Sequence, residues 1–358
     1  MKKILIDNNF GIGDVLFSTP LVSALQLSDP GALVSYICNP RTADFLRQDP
    51  RINKVFVYDR DAFVAVYRRS PWNFMMKWKA FVDEIHGAGY DTAYDLSGGS
   101  ALSLALLLAG IPRRIGFDYK GRGRWLTHKI PLYGYEGRHV IEYNMDLLAL
   151  GGGGGMVAGG QPLMRLFVPV QDQSWAADFL GAQGLADKSF LIMYPGGGAS
   201  WGRDAGLKRW PAESWVKLAE KIIERSTLPI ILMGDASEQE LCQRIAGMAA
   251  SPRVAVSGPT SLMQAAALMR RAKFALVNDG GPLHVGVACG ARTVSIFGPV
   301  DPVVYGPYPL GKAHRVVTKG LPCQPCYRNF RMSGCAHQSC LRTLTMDEVY
   351  RALEEFVS

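Results

Sequence analysis

The chain has no long apolar run. Its longest, Ala101 to Ile111, is interrupted by Ser103 and Gly110 and falls short of the ~20 residues that cross a bilayer, so it reads as a buried helix. A secretory signal is missing too: after Lys2 and Lys3, only Ile4 to Ile6 are apolar before Asp7 to Asn9, against roughly 7–15 in a signal core. A cytoplasmic location is expected. Seven cysteines in a reducing compartment argue against a disulfide framework, and Cys38, Cys242 and Cys289, isolated in apolar or helical surroundings, read as core residues. There is no G-x-G-x-x-G dinucleotide fingerprint, no Gly-Lys-Ser/Thr phosphate loop, no internal sequence repeat, and no recognition helix or aromatic-and-basic RNA motif. A nucleic-acid partner is therefore not expected.

What is present is a 358-residue chain, 48% hydrophobic and 20% charged. That length and composition suit two globular α/β domains, and exclude a disordered tail protein or a collagen-like fibre. Short β-type runs alternate with amphipathic stretches: Lys3 to Asp7, Leu33 to Cys38, Val55 to Tyr58 and Thr92 to Leu96 in the first half. The second half has Phe190 to Met193, Pro229 to Met233, Phe274 to Val277 and Thr293 to Phe297. This alternation predicts parallel sheets with helices on both faces. Five glycines at Gly151 to Gly155, followed by Gly159, Gly160 and Pro162, read as a flexible connection. Thr345-Met346-Asp347-Glu348 is a capping box that opens a last helix with Val349, Leu353 and Phe356 on one face.

Several strands run straight into glycine or acidic turns, which places those loops at the carboxyl edge of a sheet, where open α/β sheets bind ligands. Gly11-Ile12-Gly13-Asp14 lets a backbone approach a ligand and puts Asp14 at a helix front, as a cap or as a carboxylate directed into the crevice. Tyr194-Pro195-Gly196-Gly197-Gly198 exposes amides that can cradle an anion, with Lys208 downstream as a compact positive charge or a solvated surface lysine. Asn278-Asp279-Gly280-Gly281-Pro282-Leu283-His284 precedes a small-residue helix. The positive end of that helix can hold a diphosphate, and His284 can donate to a phosphate or sugar oxygen or serve structurally.

The segments GIGDVLFSTP, YPGGG with LKRWP, MGDASEQE, and VNDGGPLHVGVACGARTVSIFGPVDP occur in this order over roughly residues 1–310. As a set they resemble glycosyltransferase family 9, the heptosyltransferase family of lipopolysaccharide core assembly. The resemblance implies a GT-B fold, two Rossmann-like α/β domains with parallel sheets facing across a cleft. The expected division is 1–165 for an acceptor-binding domain, 166–340 for a nucleotide-sugar domain with a Cys-rich segment, and 341–358 for a last helix packing back on the first domain. It also implies inverting transfer of a heptose from ADP-heptose without a catalytic metal or cofactor. The alternative is another nucleotide sugar and an O-antigen, capsule or protein acceptor. On that resemblance Asp14 matches the base, and Lys208 neutralises the diphosphate. Gly13, Gly196, Gly197, Gly234, Glu238, Asp279, Gly280, Gly281 and His284 contact the donor, with Glu240 a rival to Glu238. Gly280 departs from the hydroxyl residue often found there.

The formal charge is +8. Residues 113–129 hold Arg113, Arg114, Lys120, Arg122, Arg124 and Lys129 against Asp118, and residues 302–346 hold six basic residues and no acidic one. On the family reading, Arg113, Arg114, Lys120, Arg122 and Arg124 meet an anionic glycolipid or glycan acceptor, with peripheral contact to the inner face of the cytoplasmic membrane; nothing in the sequence specifies an oligomer. Cys323, Cys326, Cys335 and Cys340, within eighteen positions, suit a tetrahedral structural Zn or Fe site, with unligated thiols or disulfides as the alternative.

Overall fold

The structure is a computed structural model that describes residues 1–153, 163–198 and 202–357. It divides into two compact units, Met1–Met164 and Arg165–Ser358. In the first, β1 (Lys3–Asp7), β2 (Leu33–Cys38), β3 (Ile52–Val57), β4 (Thr92–Asp95), β5 (Arg113–Tyr119) and β6 (His128–Leu132) form one sheet in the order β3-β2-β1-β4-β5-β6. In the second, β7 (Leu191–Tyr194), β8 (Ile230–Leu232), β9 (Val254–Val256), β10 (Ala275–Asn278), β11 (Thr293–Phe297) and β12 (His314–Thr318) are ordered β12-β11-β10-β7-β8-β9. Read from its other end, the second order is the same winding as the first.

Neighbouring strands are parallel throughout both sheets. Each unit therefore gathers all its strand ends on one carboxyl edge. The winding reverses between β1 and β4 and between β7 and β10, and the loops leaving those four strands border the crevice where such sheets take ligands. The central strands are apolar and buried on both faces, as Leu5, Ile6, Ile192, Met193, Leu276 and Val277 illustrate.

The glycine run divides into two parts. Gly151 to Gly153 finish the helix Val140–Leu150, and a Cβ at Gly151 would lie 2.2 Å from the Tyr94 hydroxyl, so this position is packed. The rest of the expected connection, 154–162, lies outside the described residues.

The last helix, Met346–Val357, belongs to the second unit. Thr345 and Glu348 make the capping box, and Lys319 pairs with Glu348 at 2.8 Å. Val349, Leu353 and Phe356 join the same core as Trp215, Phe274 and Leu341. Phe356 lies 5.6 Å from Phe274 between ring centroids and carries Arg292 over its face at 4.1 Å. Its apolar stripe is thus covered by its own unit. Phe356→Ala should cost the second unit about 3–5 kcal/mol, measured as a lower denaturation midpoint with unchanged far-ultraviolet signal before the transition.

Candidate functional site

In the second unit, one buried carboxylate organises the loops at the switch point. Glu238 is 1% exposed. It accepts from the Gly198 amide at 3.0 Å, from the Asp235 amide at 3.2 Å and from the Arg209 guanidinium at 3.1 Å. The loops after β7 and β8 and the segment before the next helix therefore converge on it. Burial raises the Glu238 carboxyl pKa, with Asp235 adding to the rise, while those donors and Arg209 oppose it. Gly196 is required by the same packing, because a Cβ there would fall 2.0 Å from Glu238 Oε1. Glu240, its rival, is exposed. Glu238 holds these loops together through both of its oxygens.

Beside it, Lys208 and Asp279 form a buried ion pair at 2.8 Å. Removing one partner of such a pair strands the other charge, so Lys208 is anchored and not a solvated surface lysine. Asn278 at the end of β10 donates to Pro195 O at 2.6 Å and accepts from Trp210 N at 3.3 Å, while Arg209 Nε donates to Gly196 O at 2.6 Å. Asn278 and Arg209 were not singled out from sequence. The only available signal was their adjacency to Asp279 and Lys208.

Gly197 and Gly198 adopt left-handed φ values of 86° and 79°. Gly280, at φ 157°, lies so close to Gly197 that a Cβ would meet its carbonyl oxygen at 2.2 Å. The departure at Gly280 is thus a steric requirement of this loop pair. Gly281 begins the helix Gly281–Ala288, and His284 is buried in its first turn. Gly234, two residues past β8, has Glu238 Cβ 2.8 Å from where its own Cβ would stand. The structure brings Gly196, Gly197, Lys208, Gly234, Glu238, Asp279, Gly280, Gly281 and His284 to one edge of one unit.

In the first unit, Gly13 and Asp14 lie in the helix Ile12–Leu16 after β1. Asp14 Oδ2 accepts from the Gly11 amide at 3.2 Å, so the capping role is present, and the residue stays partly exposed. Behind it sits a pair that sequence reading missed. Asp7 and Asp95 end neighbouring strands in register and are both fully buried. Ser97 Oγ donates to Asp7 at 3.1 Å and accepts from Asn9 N at 2.9 Å; Asp95 accepts from the Ser97 and Gly98 amides and from Ser103. Burial raises both carboxyl pKa values, Asp95 to about 6 and Asp7 well above the usual range, where the Asp95 charge adds to the effect.

The basic cluster is divided by the sheet. Arg113 and Arg114 begin β5, at the amino edge, where Arg113 reaches Leu150 O at 3.4 Å and Arg114 reaches Trp125 O at 2.7 Å. Both thus stand at the opposite end of the sheet from the loop that carries Asp14. Lys120, Arg122 and Arg124 follow the carboxyl end of β5 and are exposed, lying against the Tyr119 and Trp125 rings.

The Cys-rich segment lies in the second unit. The four thiols are close enough that neighbouring cysteines help raise the pKa values of Cys326 and Cys340, after burial. Yet Cys340 points into the core of the second unit while Cys323 is exposed, and Cys326 Sγ donates to Cys323 O at 3.1 Å. Among the described residues no three His, Cys, Asp or Glu side chains are grouped as a metal-ligand set.

Two doubly wound parallel units of this kind define a two-domain α/β protein with the GT-B fold. The profile of glycosyltransferase family 9 (heptosyltransferase) matches residues 78–337, and the chain belongs to that family of glycosyltransferases. It is 22% identical over 338 residues to lipopolysaccharide heptosyltransferase 1 of Pseudomonas aeruginosa, covering 91% of this chain and 86% of that protein. The solved structure of Escherichia coli ADP-heptose lipopolysaccharide heptosyltransferase II superposes with a TM-score of 0.74 at 22% identity, covering 100% and 98% of the two chains. A family 9 glycosyltransferase from Veillonella parvula gives 0.79 at 21% identity, covering 99% and 97%. These structural likenesses show the fold.

Two outcomes test the geometry. Gly196→Ala must displace Glu238 and should lower stability by about 1–3 kcal/mol, whereas Gly206→Ala, with open space around it, should leave the denaturation midpoint in place. For Asp7 and Asp95, folded pKa values lie above the unfolded value of about 3.9. Their contribution to stability is fully present below about pH 4 and is lost as pH rises through about 6 and beyond. Asp7→Asn should flatten this fall in melting temperature between pH 4 and pH 7.

Proposed function

We propose that the protein transfers a heptose from ADP-heptose to a lipopolysaccharide core or related envelope glycan, with inversion and without a catalytic metal. Membership of family 9 carries the reading, and the converged second-unit loops supply its chemistry. In a single displacement the acceptor hydroxyl oxygen attacks the anomeric carbon, the bond to the diphosphate oxygen breaks, and its electron pair leaves with the nucleotide. Asp14 accepts the hydroxyl proton. Lys208, oriented by Asp279, together with the Gly197 amide and the positive end of the Gly281–Ala288 helix, stabilises the departing diphosphate. His284 adds a donor to a phosphate or sugar oxygen. Lys120, Arg122 and Arg124 offer positive charge to an anionic acceptor at the edge that carries Asp14. The protein acts at the cytoplasmic face of the membrane as a peripheral enzyme; no described helix is long and apolar enough to cross a membrane.

A second reading, another nucleotide-sugar donor, is favoured by Gly280, which removes a hydroxyl from the diphosphate loop. Thermal-shift titration separates the two: ADP should stabilise the protein, and stabilisation by UDP but not ADP would sink the heptose assignment. Asp14→Asn should reduce transfer by about 10²–10⁴-fold while leaving the ADP shift in place. Unchanged transfer by that variant would remove Asp14 as the base.

A further inference from the structure

The helices Arg60–Arg69 and Pro71–Ala88 carry two opposed stripes. Inward, Phe74, Trp78, Phe81, Val82 and Ile85 recur at helical spacing and pack with Phe63 and Tyr58 in an aromatic core. Outward, Trp72, Met75, Met76 and Lys79 recur at the same spacing, and the first helix adds Val64, Tyr67 and Arg68. Trp72 is 66% exposed, Tyr67 and Met75 55% each, and Met76 53%. Among the described residues fifteen large apolar side chains are this open to solvent, and five of them fall between Val64 and Met76. Isolated exposed apolar residues are ordinary, whereas a contiguous group marks an interaction surface.

The corner is rigid. The Tyr67 and Phe74 rings meet edge-on at 5.4 Å, and Phe74 stacks on Trp78 at 6.2 Å. Between Val64 and Ala80 there are four basic residues, Arg68, Arg69, Lys77 and Lys79, and no acidic one. Lys77 lies over the Phe63 ring and Lys79 pairs with Asp83, while Arg68 and Arg69 flank the exposed rings. Topology fixes which side this corner occupies. The first helix leaves the carboxyl end of β3, and the second must finish at the amino end of β4. The turn between them therefore lies on the carboxyl side of the sheet, as do Asp14 and Lys120 to Arg124.

We propose that this corner docks in the plane of an anionic lipid bilayer. Tyr and Trp rings seat at headgroup depth, flexible Met side chains enter the acyl boundary, and the arginines hold lipid phosphates. Charge complementarity chooses this occupant over a second copy, because a two-fold contact would set the same basic group against itself. The docking needs no part of the transfer chemistry. Only its consequence, that a lipid-anchored acceptor arrives on the side of Asp14, rests on the proposed function.

The test is cosedimentation of the full chain with vesicles of phosphatidylcholine alone or mixed with phosphatidylglycerol. Binding should require phosphatidylglycerol and weaken with salt. Arg68→Gln with Arg69→Gln should weaken it roughly 30-fold at low salt, from about 1 kcal/mol per basic residue. Trp72→Ser with Met76→Ser should also abolish most binding. Both variants should keep the wild-type circular dichroism and nucleotide thermal shift, which separates failed docking from failed folding or failed donor binding. Absence of wild-type binding to the mixed vesicles, or wild-type binding by both variants, overturns the proposal. So does a solution dimer that Trp72→Ser dissolves, or loss of binding on changing Arg122 and Arg124 but not the corner.

Discussion

The second unit depends on the burial of one carboxylate. A carboxyl in the interior needs donors, and Glu238 finds them in two backbone amides from different loops and one guanidinium. Those donors can reach it only because Gly196 and Gly234 have no side chain to occupy the same space. Glycines that appear in sequence as phosphate-cradling loops are therefore also the spaces that admit a carboxylate. The same constraint holds Arg209 against the Gly196 carbonyl and sets Lys208, the next residue, against Asp279. A buried ion pair, Lys208–Asp279, and a half-buried one, Arg209–Glu238, thus lie side by side at the switch point. Buried pairs contribute little net stability but strongly resist loss of one partner, which suits a site whose geometry must persist while an anionic ligand enters and leaves.

The first unit repeats the winding with opposite electrostatics. Where the second unit places cations next to carboxylates, the first places Asp7 against Asp95 on neighbouring strands. Two carboxyls this close share a proton. The hydroxyl of Ser97 passes that pairing to the Asn9 amide, and Asn8 Nδ2 donates to the Asp14 carbonyl at 2.9 Å. The loop that carries Asp14 is therefore tied to this buried pair through Ser97 and Asn8.

Much of this was legible in the sequence, and what was not has a common cause. The central strands announce themselves by continuous apolar runs that end in glycine or acidic turns, and the loops after β1, β7, β8 and β10 were found that way. The strands that escaped were β5, β6, β9 and β12; three of them are sheet edges. Edge strands face water along one side, so charges dilute their apolar pattern. Arg113, Arg114, Lys129 and Arg315 read as a charged surface when they are in fact strand residues. The choice between Glu238 and Glu240 was likewise invisible, since two positions on a turn differ in burial only once a glycine on another strand makes room.

The charge of the whole chain follows from the same correction. An excess of eight positive charges suggested two broad basic faces. Lys129 is paired with Asp118, Arg315 with Glu355 and Lys319 with Glu348, while Arg113 and Arg114 reach backbone carbonyls. Much of each basic segment is thus engaged in holding β5, β6, β12 and the last helix in place. Positive charge on the open carboxyl side of the first unit is concentrated where aromatic rings accompany it, at Lys120 to Arg124 and at Arg68 and Arg69. A cation that lies against an exposed aromatic ring is less bound to bulk water than a bare surface lysine.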